Sequence, residues 1–306
     1  MKKTFKEWIS LAARPCLFLL LTPAAQQGMG QSAGPGEKLV FVQDGSVPII
    51  LSAPHGGRLP IPGTSARTGK DKDGQAVKQF ATVLDGGTEE LTRTLGREIE
   101  FRLREKPHLV TARFTRSHAD VNRPAGDAFE AETAKPVYEA YHAALQRARD
   151  RVEKDFKRGI LLDIHGQAHQ ADTIYRGTSK LSTVSHLVNR FGRGALTGPK
   201  SVLGAMQAAG YRVFPAGDST EPEQKGYTGG FIVRTYGSGS GGTVDAIQLE
   251  LGANLRKAGQ RDQVAADLAD AICRFAVEYL EWPGRERAAE RMKSFQPAAK
   301  PAKAGS

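Results

Sequence analysis

The stretch Gly159-Ile160-Leu161-Leu162-Asp163-Ile164-His165-Gly166 carries an apolar run, interrupted only by Asp163, into a histidine and a glycine. A short run of this kind, opened by glycine and rich in branched side chains, predicts a strand buried on both faces. Residues 159–164 are therefore assigned to a strand with His165 at its carboxyl end. Two more runs have the same form. Val47–Ser52 leads into Ala53-Pro54-His55-Gly56-Gly57, and Val244–Leu251 contains Gln248-Leu249-Glu250. Side chains alternate along a strand, so Gln248 and Glu250 share a face.

Around these three runs the pattern alternates between strands and helices. Leu39–Gln43 and Val47–Ser52 flank Asp44-Gly45-Ser46, which predicts a hairpin or tight turn between two strands. The spacing Leu91, Leu95, Ile99, Leu103 predicts a helix from Glu89 to Leu103. Leu109–Phe114 reads as a strand and Val137–Lys157 as a charged helix. After an irregular stretch come a helix near 199–209, strands at Tyr211–Pro215, Phe231–Tyr236 and Val244–Leu251, and a closing helix over Asp262–Leu280. Such alternation predicts an α/β fold: a mostly parallel central sheet with helices on both faces. Ligands of these sheets gather beyond the carboxyl ends of the strands. His55, His165 and Glu250 all fall there. The polar segment 56–80 is expected to be a long loop beside them.

Composition sets the class. The 306 residues are 40% hydrophobic and 25% charged, ordinary for a globular enzyme with a sizeable core. The net charge of +10 sits mostly at the ends, with +3 in residues 1–27 and +4 in residues 284–306. The remaining +3 over the body argues against nucleic acid as a partner. A basic start, the apolar run Cys16–Leu21 and the small residues Thr22-Pro23-Ala24-Ala25 match a secretory leader over residues 1–27. That run is too short to span a bilayer, so no transmembrane segment is expected once the leader is removed. The expected location is periplasmic or secreted. Residues 28–37 read as a linker, residues 38–283 as one catalytic domain and residues 284–306 as a disordered basic tail. Loss of Cys16 with the leader leaves Cys273 without a disulfide partner, in a helical pattern that places it in the core. There is no internal repeat, and nothing in the pattern sets an oligomeric state.

Two histidines, an acid and a further glutamate are the parts of a hydrolytic zinc centre, which uses three N or O ligands and leaves a fourth position open. His55 and His165 supply the imidazoles, with Asp163 placed to partner the second. The acid comes from Asp85-Gly86-Gly87-Thr88-Glu89-Glu90-Leu91, where Asp85 and Glu89 are the two choices. Asp85 and Thr88 equally suit a helix cap, and Glu89 an ordinary first turn. A glutamate in an apolar strand is costly unless paired or functional, so Glu250 is either a general base or the partner of an arginine such as Arg256. The segment Arg116-Ser117-His118-Ala119-Asp120-Val121-Asn122-Arg123-Pro124 offers forked guanidiniums for a substrate carboxylate, with Asn122 completing the clamp and Asp120 orienting it.

Taken in order, Ser52–Gly57, Asp85–Leu91, Arg116–Pro124, Leu161–Gly166, Tyr227–Phe231 and Gln248–Gly252 resemble the N-formylglutamate amidohydrolase family over about residues 38–280. The resemblance implies a zinc-peptidase-like α/β fold, related in architecture to zinc carboxypeptidases. It implies Zn2+ held by His55, His165 and either Asp85 or Glu89, with Glu250 as acid/base. Arg116, Asn122 and Arg123, with Asp120 and Gln248, would meet a small-molecule or peptide-like carboxylate substrate. Thr82-Val83-Leu84-Asp85-Gly86-Gly87 departs from the family's aspartate-rich lead, and a leader fits poorly with cytosolic histidine breakdown. An exported peptidoglycan amidase or carboxypeptidase, and a binding protein that has lost catalysis, are the rival expectations.

Overall fold

Seven strands form one mixed sheet in the computed structural model, which describes residues 38–295 apart from residues 72, 218 and 220. They are β1 (Val40–Gln43), β2 (Ile49–Ala53), β3 (His108–Ala112), β4 (Gly159–Gln167), β5 (Thr173–Gly177), β6 (Arg212–Phe214) and β7 (Val244–Gly252). Their order is β1-β3-β2-β4-β7-β5-β6. The central strands β3, β2, β4 and β7 run parallel, while β1 and β5 pair antiparallel with β3 and β7. The main helices are α1 (Thr88–Leu103), α2 (Lys135–Phe156), α3 (Ser185–Phe191), α4 (Val202–Ala208), α5 (Phe231–Tyr236), α6 (Ala258–Tyr279) and α7 (Arg285–Ser294). This is the mostly parallel α/β sheet expected from the alternating pattern. The leader, the linker and residues 296–306 lie outside the described residues.

The period of two in each central strand builds a core on either side. Leu51 of β2, Leu162 and Ile164 of β4, and Leu249 and Leu251 of β7 pack with Leu91, Leu95 and Ile99 of α1 and Leu268 and Ile272 of α6. Ile50, Leu161, Val244 and Ala246 face the other way, toward Tyr141 and Leu145 of α2 and Ile232 of α5. Burying each such aliphatic side chain contributes roughly 1.5–3 kcal/mol. On the α2 side the same alternation continues into Ser52, Asp163, His165, Gln248 and Glu250. The register sets Ser52 beside Asp163, Asp163 beside Gln248, and His165 beside Glu250. One face of the sheet thus turns from apolar to polar along its strands. That change positions the site.

Four expectations are corrected. The segment before Asp44 does not form a hairpin with β2; β1 pairs with β3 instead. β2 is buried throughout and needs a strand on both sides, which β3 and β4 supply, leaving β1 the edge. Phe231–Tyr236 is helix α5, because Ile232, Val233 and Tyr236 bury one face at helical spacing. Six residues are too few for the pattern to separate the two states. The irregular stretch contains β5, a strand whose five residues are all buried. The expected tail includes helix α7, whose Ala288 and Met292, four apart, join the core on the α6 side. Cys273 is fully buried and free, as expected. No helix among the described residues is long and apolar enough to cross a membrane.

His108 opens β3 and is 1% exposed, with Nδ1 accepting the Gly45 N–H at 3.0 Å. Burial, reinforced by Arg151, pushes its pKa down to about 4. The unfolded chain takes up this proton near pH 6.5 and the fold refuses it until about pH 4. The stabilisation is therefore complete above pH 6.5 and is lost as pH falls toward 4. His108→Asn keeps an acceptor for Gly45 without the titration. Between about pH 7 and about pH 5 it is expected to lose roughly 2 kcal/mol less stability than the parent, measured by urea unfolding. An identical pH dependence in the two proteins would refute this assignment.

Candidate active site

Pro54-His55-Gly56 turns the chain sharply after β2, and the turn packs on the start of α1. A Cβ on Gly56 would lie 2.3 Å from the Glu89 backbone nitrogen, so no larger residue fits there. The turn aims His55 at His165, which stands near the end of β4. Their ring centroids are 4.8 Å apart at 73°, and both side chains are almost wholly buried. Asp85 completes the group from the loop before α1. Its backbone N–H donates to the His55 carbonyl at 3.0 Å, and its Oδ2 accepts the Gly166 N–H at 3.0 Å. One acid is thereby tied to both histidine segments.

The ring nitrogens divide their work. His55 Nε2 lies 2.7 Å from Asp120 Oδ1, and His165 Nε2 lies 2.8 Å from Asp163 Oδ2. Each carboxylate accepts an Nε2–H, which leaves both Nδ1 atoms facing Asp85 Oδ2, at 3.4 Å from His55 and 3.3 Å from His165. His55 Nδ1 is buried without a hydrogen-bond partner. A nitrogen so placed, with its ring oriented by a carboxylate behind it, is how proteins prepare an imidazole for a metal. The donor atoms of His55, Asp85 and His165 all lie within 4.8 Å of one another. This N, N, O set fits zinc with one position open.

Electrostatics point the same way. Burial alone would raise the pKa of Asp85, but His165 and His55, whose rings face its Oδ2, outweigh it and hold the carboxyl well below its ordinary range. Burial likewise opposes ionisation of Asp120, and His55 and Arg116 overcome it. For His165, burial disfavours the cation, yet Asp163, Asp85 and Glu250 together hold its pKa well above the usual value. Glu250 is the exception. Its burial, only partly offset by His165, raises the pKa to about 7. The site thus concentrates buried negative charge that calls for a cation.

A cavity of about 360 Å³ opens beside these groups, lined by His55, Asp85, His165 and Glu250 with Arg116, Asn122, Arg123, Gln248, Tyr227 and Arg234. Gln248 Nε2 donates to Glu250 Oε1 at 2.7 Å, and Gln248 Oε1 accepts the Gly230 N–H at 2.6 Å. Arg256 spends its guanidinium on the carbonyls of Leu251, Gly86 and Gln167 rather than on Glu250. Arg116 gives Nε and Nη2 to Asp120 Oδ2 at 3.0 and 2.8 Å, and its Nη1 reaches within 3.9 Å of Asp85. Arg123 donates to the carbonyls of Gln79 and Asn122 and has no carboxylate partner among the described residues. Asn122 accepts the Ile232 N–H with Oδ1 and sets Nδ2 3.2 Å from His165 Nε2. A Cβ on Gly230 would lie 2.1 Å from Asn122 Nδ2, so that residue must be glycine.

The structure therefore brings together every expected residue but one. Glu89 is not at the centre: it sits in the first turn of α1, 3.8 Å from Arg93, and Asp85 takes the place beside the imidazoles. Asp120 is wholly buried and meets His55 and Arg116, so it orients those two rather than contacting a ligand. Arg234 on the cavity wall and Tyr141 behind Asp163 carry no expectation from sequence, while Tyr227 and Ser52 fall within stretches of the family resemblance but have no role assigned there. An arginine on a short helix and a tyrosine on a long one are ordinary there, and no pattern singles them out.

Among solved structures, N-formylglutamate amidohydrolase from Ralstonia eutropha JMP134 is similar to this chain at 16% identity and a TM-score of 0.50, covering 84% of this chain and 99% of that one. A gene product of Agrobacterium tumefaciens is similar at 15% identity and 0.48, covering 84% and 97%. A bacteriophage poly-gamma-glutamate hydrolase has 11% identity and 0.38, covering 78% and 88%. At 16% identity the first likeness is one of fold, and it agrees with the α/β architecture described above. No protein-family model matches the sequence, and no curated protein matches it.

Substitution separates the two acids of the α1 segment. Asp85→Ala is expected to weaken zinc binding by more than the roughly 10–100-fold that loss of an outer partner costs. Glu89→Ala should leave it within about 2-fold, since Glu89 is no ligand in this geometry. Chelator competition measures both, and equal losses would show the ligand set to be wrong.

Proposed function

We propose that this chain is a zinc-dependent hydrolase of an amide bond in an N-acyl amino acid or small peptide-like substrate with a free carboxylate. The observation that carries this reading is the convergence of two Nδ1 atoms and Asp85 Oδ2 at the mouth of a cavity that also holds Glu250. The fold shared with an N-formylglutamate amidohydrolase is consistent with it.

When bound by His55, His165 and Asp85, zinc supplies Lewis acidity. The remaining chemistry falls to side chains of the cavity. Glu250, with a pKa of about 7, is suited both to accept a proton and to give it back at neutral pH. It takes a proton from the attacking water as oxygen bonds to the carbonyl carbon, then delivers it to the amine nitrogen as the C–N bond breaks. Gln248 holds the carboxylate in place through its 2.7 Å bond. Three of the five guanidinium N–H groups of Arg123 go to backbone carbonyls, and the rest serve a substrate carboxylate. Arg116, gripped by Asp120, keeps one nitrogen near Asp85 for the developing oxyanion. Export by the leader expected over residues 1–27 would place this activity in the periplasm or outside the cell, and N-terminal sequencing of the secreted product tests that step.

Glu250→Gln preserves size and loses the base. It should keep one zinc per chain by elemental analysis while turnover of N-acyl amino acids falls about 100- to 10,000-fold. Full activity in this variant would remove Glu250 from its role. Parallel assays on N-formyl and N-acetyl amino acids and on purified cell wall decide the substrate class. Release of amino groups from cell wall alone would favour the peptidoglycan reading.

A further inference from the structure

Behind His165 lies a chain of hydroxyls that the mechanism above does not use. Asp163 is wholly buried, and its charged partner among the described residues is His165 itself. Asp120, the corresponding acid behind His55, is balanced by the Arg116 fork at its second oxygen. The second oxygen of Asp163 instead accepts the Ser52 hydroxyl at 2.5 Å. That bond spends the only proton of Ser52, so in the 3.0 Å contact between the two hydroxyls Tyr141 donates to Ser52 Oγ, with the Val110 carbonyl, 3.4 Å from the same hydroxyl, as its longer second acceptor. Tyr141 is fully buried on α2, Ser52 faces it from β2, and Asp163 lies beside Ser52 in the register of β2 and β4.

We propose that Ser52 and Tyr141 are positioning residues that fix Asp163, and through it the orientation and proton placement of His165, for metal capture. The inference rests on the zinc reading above. A buried carboxylate with neutral donors on one oxygen is free to place its full charge on the imidazole at the other. Without the Ser52 hydroxyl, Oδ1 is left unpaired in an apolar interior, and the carboxylate gains by rotating away from His165. The His55 branch is unaffected, because its acid is held by the Arg116 guanidinium of its own loop and not by Ser52 or Tyr141. The two ligands are therefore prepared by separate means, one through a cation and one through hydroxyls.

A role limited to holding β2, β4 and α2 together makes a different forecast. It destabilises the zinc-free and zinc-loaded proteins equally and leaves the zinc dissociation constant unchanged, because binding energy is a difference between those two states. The test uses the full chain with Ser52→Ala and Tyr141→Phe, measuring zinc dissociation constants by chelator competition, melting temperatures with and without zinc, and the visible spectrum of the cobalt-substituted proteins. Ser52→Ala is expected to raise the dissociation constant about 10- to 100-fold and to alter the cobalt spectrum, with Tyr141→Phe giving a smaller rise of about 2- to 10-fold. Unchanged dissociation constants with equal losses of melting temperature in both states would overturn the relay while leaving the zinc reading intact. Should Ser52→Ala fail to fold, the near-isosteric Tyr141→Phe decides. A parent protein that binds no zinc would instead overturn the functional reading itself, and the relay with it.

Discussion

The structure depends on keeping four carboxylates, Asp85, Asp120, Asp163 and Glu250, around one pair of imidazoles and out of water. All four side chains are nearly or wholly buried. Charge of one sign so concentrated is costly unless cations and hydrogen-bond donors answer it. The fold supplies two imidazoles, a forked arginine and a chain of hydroxyls. What those groups leave uncovered is the space between two Nδ1 atoms and Asp85, which has the donor set to hold a metal ion. Burial above all, and after it the nearby Asp85 and Asp163, disfavours a charge on Glu250, while the adjacent His165 favours it, which leaves its pKa at about 7.

Sheet register is the device that brings these groups together. Parallel pairing of β2, β4 and β7 puts Ser52, Asp163, His165, Gln248 and Glu250 on one face, in rows rather than scattered. The apolar residues earlier in the same strands anchor that face to α2, so the polar end is held by a rigid core. Loops then bring Asp85, Arg116, Asn122 and Arg123 over it. Asp120 ties those loops to the turn after β2 through His55, and Asn122 ties them to α5 through the Ile232 N–H. Rigidity comes from the sheet and recognition from the loops, a division common where a scaffold carries catalytic groups.

Much of this was legible in the sequence. Apolar runs ending in reactive side chains located β2, β4 and β7, and the alternation of strands with helices implied the mostly parallel sheet. His55, His165 and Glu250 could be named because strand ends are where such folds bind ligands. The choice between Asp85 and Glu89 could not be made, because four residues separate them across a loop and a helix start, and only the packing of Gly56 on α1 settles which one turns inward. Phe231–Tyr236 reads as a strand instead of a helix, and β5 goes unassigned, because short apolar segments carry no decisive period. The role of β1 was misjudged for a different reason. Strand partners are chosen by which strands need cover on both sides, and that is a property of the whole sheet.

By itself, then, the order of residues determined the fold class, the core-forming strands and the chemical types gathered at their ends, because periodicity and burial are local consequences of side-chain identity. Only the tertiary structure decided which ring nitrogen faces which acid, that Arg256 bonds to carbonyls instead of Glu250, and that Ser52 meets Asp163 and Tyr141 across 111 and 89 positions of chain. Hydrogen-bond geometry at such separations depends on the register of strands and the seat of helices. Those are set by the packing of the entire core, and no local stretch of sequence contains them.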